Sequence, residues 1–175
     1  MTRTQETQPM DASYIKPFVA SIQNVFATMM QLPVSLGTPH LKTKPGASSD
    51  VTGIIGLSGD VIGTVALAFS EATASRVVAL FGGQQLATDN PDFADAIGEL
   101  VNMVCGGAKA MFTNKRVSIS CPSVVLGAGH LVATPQDTPC VVIPCTSDCG
   151  DFAIEVAIRE AAVPTKPVAA AAAQA

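Results

Sequence analysis

Residues 90–114, NPDFADAIGELVNMVCGGAKAMFTN, decide how the rest of the chain is read. Asn90 suits a helix N-cap, because its side-chain oxygen can accept a bond from an orphan backbone N–H. Pro91 fits the first helical position, where a missing N–H costs nothing, and Asp92 places a negative charge at the positive end of the dipole. At about 100° per residue, Phe93, Ile97, Leu100, Val104, Ala108 and Met111 gather on one side as a core stripe. Asp95, Glu99, Asn102, Gly106 and Lys109 gather on the other. A carboxylate and a carboxamide thus stand one turn apart on a polar ridge, with a glycine a turn beyond. Gly106 and Gly107 each cost roughly 1 kcal/mol relative to alanine in a helix. Keeping them implies a close approach to the backbone, by a neighbouring element or by a partner protein.

Before this helix, Glu71 to Phe81 reads as a second helix, capped by Ser70 and stopped by Gly82-Gly83, with Ala74, Val77, Val78 and Phe81 inward. Val51–Leu57 and Val61–Phe69 form a β-hairpin around Ser58-Gly59-Asp60. Upstream, Val34 to Lys44 is expected to be a strand bent at Pro39. Asp11 to Gln31 is expected to be a helix capped by Asp11 or Ser13, with Pro17 in its first turn. Its core stripe is Phe18, Ile22, Val25 and Met29, and Ser21, Asn24, Thr28 and Gln31 share the other face. After the central helix come short β runs over Arg116–Cys121, Ser123–Leu126 and His130–Thr134. Cys140–Thr146 and Phe152–Arg159 then make a last hairpin, whose second arm alternates Phe152, Ile154, Val156 and Ile158 with wetter positions.

The fold class is therefore α+β: a mainly antiparallel sheet with the long helices packed on one face. Residues 11–160 read as a single domain, 1–10 as a flexible N-terminus and 161–175 as a low-complexity, disordered tail. The chain also echoes itself. Ser21-x-x-Asn24 on the first helix repeats the spacing of Glu99-x-x-Asn102, and hairpins turn at Gly59-Asp60 and Gly150-Asp151. This predicts two duplicated helix-plus-sheet units facing each other about a pseudo-twofold axis. In the first unit Ser21 stands where the second has Glu99.

With 48% hydrophobic and 14% charged residues, the chain has ample material for a core. A net charge of −4, no basic cluster and no Trp argue against nucleic acid as a partner. No apolar run is long enough for a bilayer span, and MTRTQETQPMDAS lacks the apolar run of a secretory signal. The expected location is the cytoplasm, with no membrane partner. The five cysteines, Cys105, Cys121, Cys140, Cys145 and Cys149, are odd in number and match no common zinc pattern, so buried thiols are the expectation and no metal site is assigned.

Three features together carry a family resemblance. They are Asp95-Ala-Ile-Gly-Glu99-Leu-Val-Asn102, the first helix KPFVASIQNVFATMM and the segment GTVALAFSEATASRVVALFGG. Over roughly Tyr14 to Arg159 the chain resembles the CheX-like chemotaxis phosphatases, relatives of CheC and of the phosphatase-type flagellar switch proteins. The family pattern has a proline some way beyond the asparagine, and Pro122 stands near that place. The resemblance implies hydrolysis of the phospho-aspartate of a CheY-type response regulator. Glu99 would pair with a lysine in the regulator's active site, and Asn102 would enter that site and hold a water in line with phosphorus. The cofactor would be Mg²⁺ in the partner's site, with none belonging to this chain. Asp95, Gly106 and Lys109 would border the interface. The resemblance also implies a homodimer joined through its sheets.

Taken alone, an exposed Glu and Asn read as a solvated helix face, and only the resemblance tips that balance. Two alternatives remain: a non-catalytic scaffold of the same fold that binds a regulator or flagellar switch, and a cysteine enzyme.

Overall fold

A computed structural model describes residues 12–43, 49–134 and 137–162. Three helices and eight strands follow in the order α1 (Ala12–Met30), β1 (Ser35–Leu36), β2 (His40–Leu41), β3 (Ser49–Gly59), β4 (Val61–Phe69), α2 (Glu71–Gly82), α3 (Pro91–Ala110), β5 (Val117–Ile119), β6 (Ser123–His130), β7 (Val141–Ser147) and β8 (Gly150–Glu160). Residues 1–10, the cap at Asp11, the strand end at Lys44 and the tail beyond residue 162 lie outside the described residues.

Every strand pairing is antiparallel, in the order β1-β7-β8-β4-β3-β5, with β2 also on β7 and β6 also on β3. The two hairpins, β3-β4 and β7-β8, meet at the centre through β4 and β8. The short strands after each long helix pair with the hairpin of the other half: β1 and β2 with β7, β5 and β6 with β3. That exchange has the pseudo-twofold order that the sequence echo implies. Among the described residues only the first half carries a helix, α2, after its hairpin.

Period-2 alternation divides the sheet into two faces. Val51, Ile55, Val65, Leu67, Phe69, Phe152, Ile154 and Val156 line the inner face, in one core cluster with Phe18, Ile22 and Phe26 of α1, Val77 of α2 and Phe93, Ile97 and Val104 of α3. Phe152 stacks between Phe26 and Phe69, with ring centroids 5.1 and 5.2 Å away. Fully burying a phenylalanine contributes roughly 1.5–3 kcal/mol, so these three rings add substantially to the core on this face of the sheet. The outer face is built of smaller residues, among them Thr52, Ala66 and Ala157, all buried. There the Lys42 ammonium meets Glu155 at 2.7 Å and also donates to the Val132 carbonyl, which ties the segment after β6 to the sheet.

Several local expectations need correction. Met29 and Met111 are exposed, while Phe26 and Met30 take the inner stripe of α1. Met111 lies one residue past the end of α3, as its C-cap, where the helical projection no longer applies. Pro17 is the sixth residue of α1 rather than part of its first turn. The strand over Val34–Lys44 is two two-residue bridges to β7, separated at Gly37–Pro39. The separate runs Ser123–Leu126 and His130–Thr134 are instead one strand ending at His130, with no strand over residues 131–134.

Asp50 ties three elements together. Its carboxylate accepts from the Glu71 N–H at the start of α2 (3.0 Å) and from the Gly129 N–H in β6 (3.2 Å). These backbone bonds hold its carboxyl below the ordinary range. A depressed folded value means that the stabilisation is complete above the unfolded pKa, about 3.9 for Asp, and is lost as pH falls through the folded value. Asp50→Asn should therefore flatten the acid limb of stability below about pH 4, measured by urea unfolding against pH. An unchanged limb would show that other carboxylates govern it.

Candidate functional site

The Asn90 side chain accepts from the Asp92 N–H at 3.0 Å and Pro91 opens α3, so the helix starts where the cap chemistry places it. Phe93, Ile97, Leu100, Val104 and Ala108 are buried, and Val101 and Cys105 join them. Opposite, Asp95, Glu99 and Lys109 are exposed, and Asn102 and Gly106 are half-buried. All five ridge positions thus share one side of α3. At i, i+3 spacing the Cβ atoms of Glu99 and Asn102 stand roughly 5–6 Å apart. Among the described residues neither side chain makes a hydrogen bond or an ion pair. A carboxylate and a carboxamide are held side by side on a rigid helix, with their bonding capacity unspent.

The two consecutive glycines have different reasons. A Cβ at Gly107 would stand 2.4 Å from the Ser21 hydroxyl oxygen of α1. A Cβ at Gly106 would meet nothing within 4 Å. Gly107 is therefore explained inside the molecule, and Gly106 leaves the ridge flat toward solvent.

The same contact settles the status of the first helix. Ser21 is 1% exposed, and its hydroxyl donates to the Val104 carbonyl of α3 at 2.7 Å. It does not share the outer face of α1 with Asn24, Thr28 and Gln31, which are exposed. The position matching Glu99 is buried between two helices, and only Asn24 of that pair reaches solvent.

One neighbour of the ridge is not legible from helical periodicity. Gly98, buried directly before Glu99, lies under Pro122, whose Cγ would be 3.3 Å from a Cβ there. A glycine inside the helix was the available signal. Which distant residue covers it depends on where the chain enters β6.

The thiols carry no comparable chemistry. Cys105 is 1% exposed, and burial pushes its thiol up to about 12. Burial likewise raises Cys140 and Cys145 to about 11, and raises Cys149. Since the thiolate is the nucleophile, these groups are suppressed at neutral pH. Cys121 is the exposed one. Native protein should take up iodoacetamide at Cys121 alone and at the other four after unfolding in urea, read by mass spectrometry. Rapid native labelling of Cys105 would revive a thiol mechanism. Among the described residues no group of His, Cys, Asp or Glu could hold a metal ion. None of the described helices is long and apolar enough to cross a membrane.

Residues 51–146 match the family described as chemotaxis phosphatase CheX. The CheY-P phosphatase CheX of Thermotoga maritima is 29% identical over 121 residues, which span 67% of this chain and 78% of that protein. The crystal structure of a CheC-like superfamily protein from Shewanella sp. PV-4 is similar at a TM-score of 0.79 and 31% identity, over 86% of this chain and 99% of that one. The CheX–CheY–BeF3–Mg²⁺ complex from Borrelia burgdorferi superposes at a TM-score of 0.71 over 87% of this chain and 100% of the matched one. At 22% identity that last likeness shows the shared fold.

Proposed function

Since the chain belongs to the chemotaxis phosphatase CheX family, we propose that it hydrolyses the phospho-aspartate of a CheY-type response regulator, with Glu99 and Asn102 of α3 as the working pair. The observation that carries this is the unengaged state of those two side chains on an open ridge.

An acyl phosphate is already activated, so the catalyst needs mainly to place a nucleophile. Asn102 enters the regulator's site, and its carboxamide, which both donates and accepts hydrogen bonds and does not titrate, holds a water in line with phosphorus. The water oxygen bonds to phosphorus and the bond from phosphorus to the aspartyl oxygen breaks. Free aspartate on the regulator and inorganic phosphate are the products. Glu99 pairs with a lysine of the regulator and fixes the depth of insertion. The Mg²⁺ belongs to the regulator's site. Asp95, Gly106 and Lys109 border the contact, and the flat surface at Gly106 lets the partner's backbone lie close. The reaction takes place in the cytoplasm, with no nucleic acid or membrane partner. The proposed domain spans residues 11–160.

A phosphate-release assay against phosphorylated receiver domains tests this reading. Acceleration over the regulator's own hydrolysis is the expected result. Tight binding without acceleration would favour the non-catalytic scaffold.

We further propose a homodimer paired along β6. That strand forms an edge of the sheet beside β3, and Val125 and Leu126 on it are exposed. An exposed apolar edge is a template for another strand. Light scattering at micromolar concentration should give twice the chain mass, and Leu126→Glu should lower it toward one chain. A monomeric wild type would remove the proposal.

A further inference from the structure

The ridge of α3 has a neighbour built with unusual firmness for a loop. Between β5 and β6 the chain runs through Ser120, Cys121 and Pro122 to Ser123, all exposed. Ser120 fastens this run to β3. Its N–H donates to the Gly56 carbonyl at 2.9 Å, and its hydroxyl oxygen accepts from the Gly56 N–H at 3.0 Å. That hydroxyl also donates to the Cys121 carbonyl at 2.8 Å. Pro122 then rests on Gly98, where a Cβ would meet its Cγ at 3.3 Å, and Val124 follows it down onto the same spot at 3.6 Å. The loop is pinned at one end to the sheet and at the other to the helix, and it still presents its outer side to solvent.

Its position relative to the working pair follows from helix geometry. Asn102 is four residues beyond Gly98, one turn along and rotated by roughly 40°. Glu99 lies roughly 100° round from Gly98. The loop therefore borders the ridge on the side of Asn102, while Glu99 lies farther round. A regulator that admits Asn102 to its phosphorylation site must bring its own surface down beside this loop. Ser, Cys, Pro and Ser are small and uncharged, so they set a fixed height without demanding a matching charge. A rigid wall of this kind loses little conformational freedom when a partner docks.

We infer that residues 120–123 form a second wall of the docking surface and touch the receiver domain of the phosphorylated regulator next to Asn102. The identity of that partner rests on the phosphatase reading above. The wall's contribution is to docking, through shape, and not to the chemical step.

Cys121 gives a direct test, because it is the exposed thiol and sits in the middle of the wall. Full-length protein is labelled there with a fluorescein maleimide, and separately with methyl methanethiosulfonate, which adds only a thiomethyl group. Each form is titrated with a beryllofluoride-activated, Mg²⁺-loaded receiver domain, and its phosphate-release kinetics are measured. The bulky adduct should weaken receiver binding and raise KM by at least about tenfold, with kcat at saturation held within about twofold. The thiomethyl form should keep near-native values, and the same form treated afterwards with the maleimide should match it. A bulky adduct that binds the receiver as tightly as unlabelled protein would overturn the inference, whatever its phosphate release. The two readings fail separately: binding that the bulky label weakens, without phosphate release by any form, sinks the catalytic reading and leaves the wall in place.

Discussion

Asn102→Ala should lower phosphate release from the phosphorylated regulator by at least about 100-fold in kcat, to near the regulator's own rate, while the fold remains intact. Asn102 is half-buried and, among the described residues, unbonded. Truncating such a side chain leaves no orphaned partner, so stability should stay within about 0.5 kcal/mol of wild type. The loss should fall on kcat, because the interaction exists only when a water is being aimed at phosphorus. Glu99→Ala should differ in kind. A carboxylate that pairs with the partner's lysine contributes to docking, and truncating one member of a charge pair buried on binding costs about 2–5 kcal/mol. Its effect should therefore appear in KM and in binding of the activated receiver. Full activity in Asn102→Ala would remove the asparagine from the mechanism. Equal losses of kcat in both variants, with unchanged KM, would show that the division of roles is wrong.

Ser21→Glu should unfold the protein or cost at least roughly 3 kcal/mol, and should create no second active site. By sequence the substitution restores Glu-x-x-Asn to α1 and rebuilds the motif in the first unit. By structure it forces a carboxylate into a position 1% exposed, against the backbone of α3 at Gly107, where a hydroxyl donating to the Val104 carbonyl now fits. A carboxylate cannot donate that bond. It would be desolvated beside a carbonyl oxygen, with the helices pushed apart by its volume. Urea unfolding reads the loss directly. A stable Ser21→Glu protein with doubled phosphate release would mean that α1 can turn this face outward.

Both outcomes trace to a division already present in α3. Its amphipathic period and its caps are local properties, so Phe93, Ile97, Leu100, Val104 and Ala108 could be placed inward, and Glu99 and Asn102 outward together, from residue order alone. Where the helix ends, the period loses its authority, and Met111 is exposed. The hairpins β3-β4 and β7-β8 were equally legible, because alternation and turn residues act over a few positions. β6 was legible only as far as Leu126, since Gly127 and Gly129 beyond it take positive φ where the register against β3 shifts.

The α+β class, the outward pairing of Glu99 with Asn102 and the doubled helix-plus-hairpin plan were thus determined by the sequence itself, through short-range periodicity. The burial of Ser21 against Gly107, the freedom of Gly106 and the seating of Pro122 on Gly98 were decided by tertiary structure. Each depends on which two surfaces meet, and residues 86 positions apart, such as Ser21 and Gly107, leave no local signature of their contact.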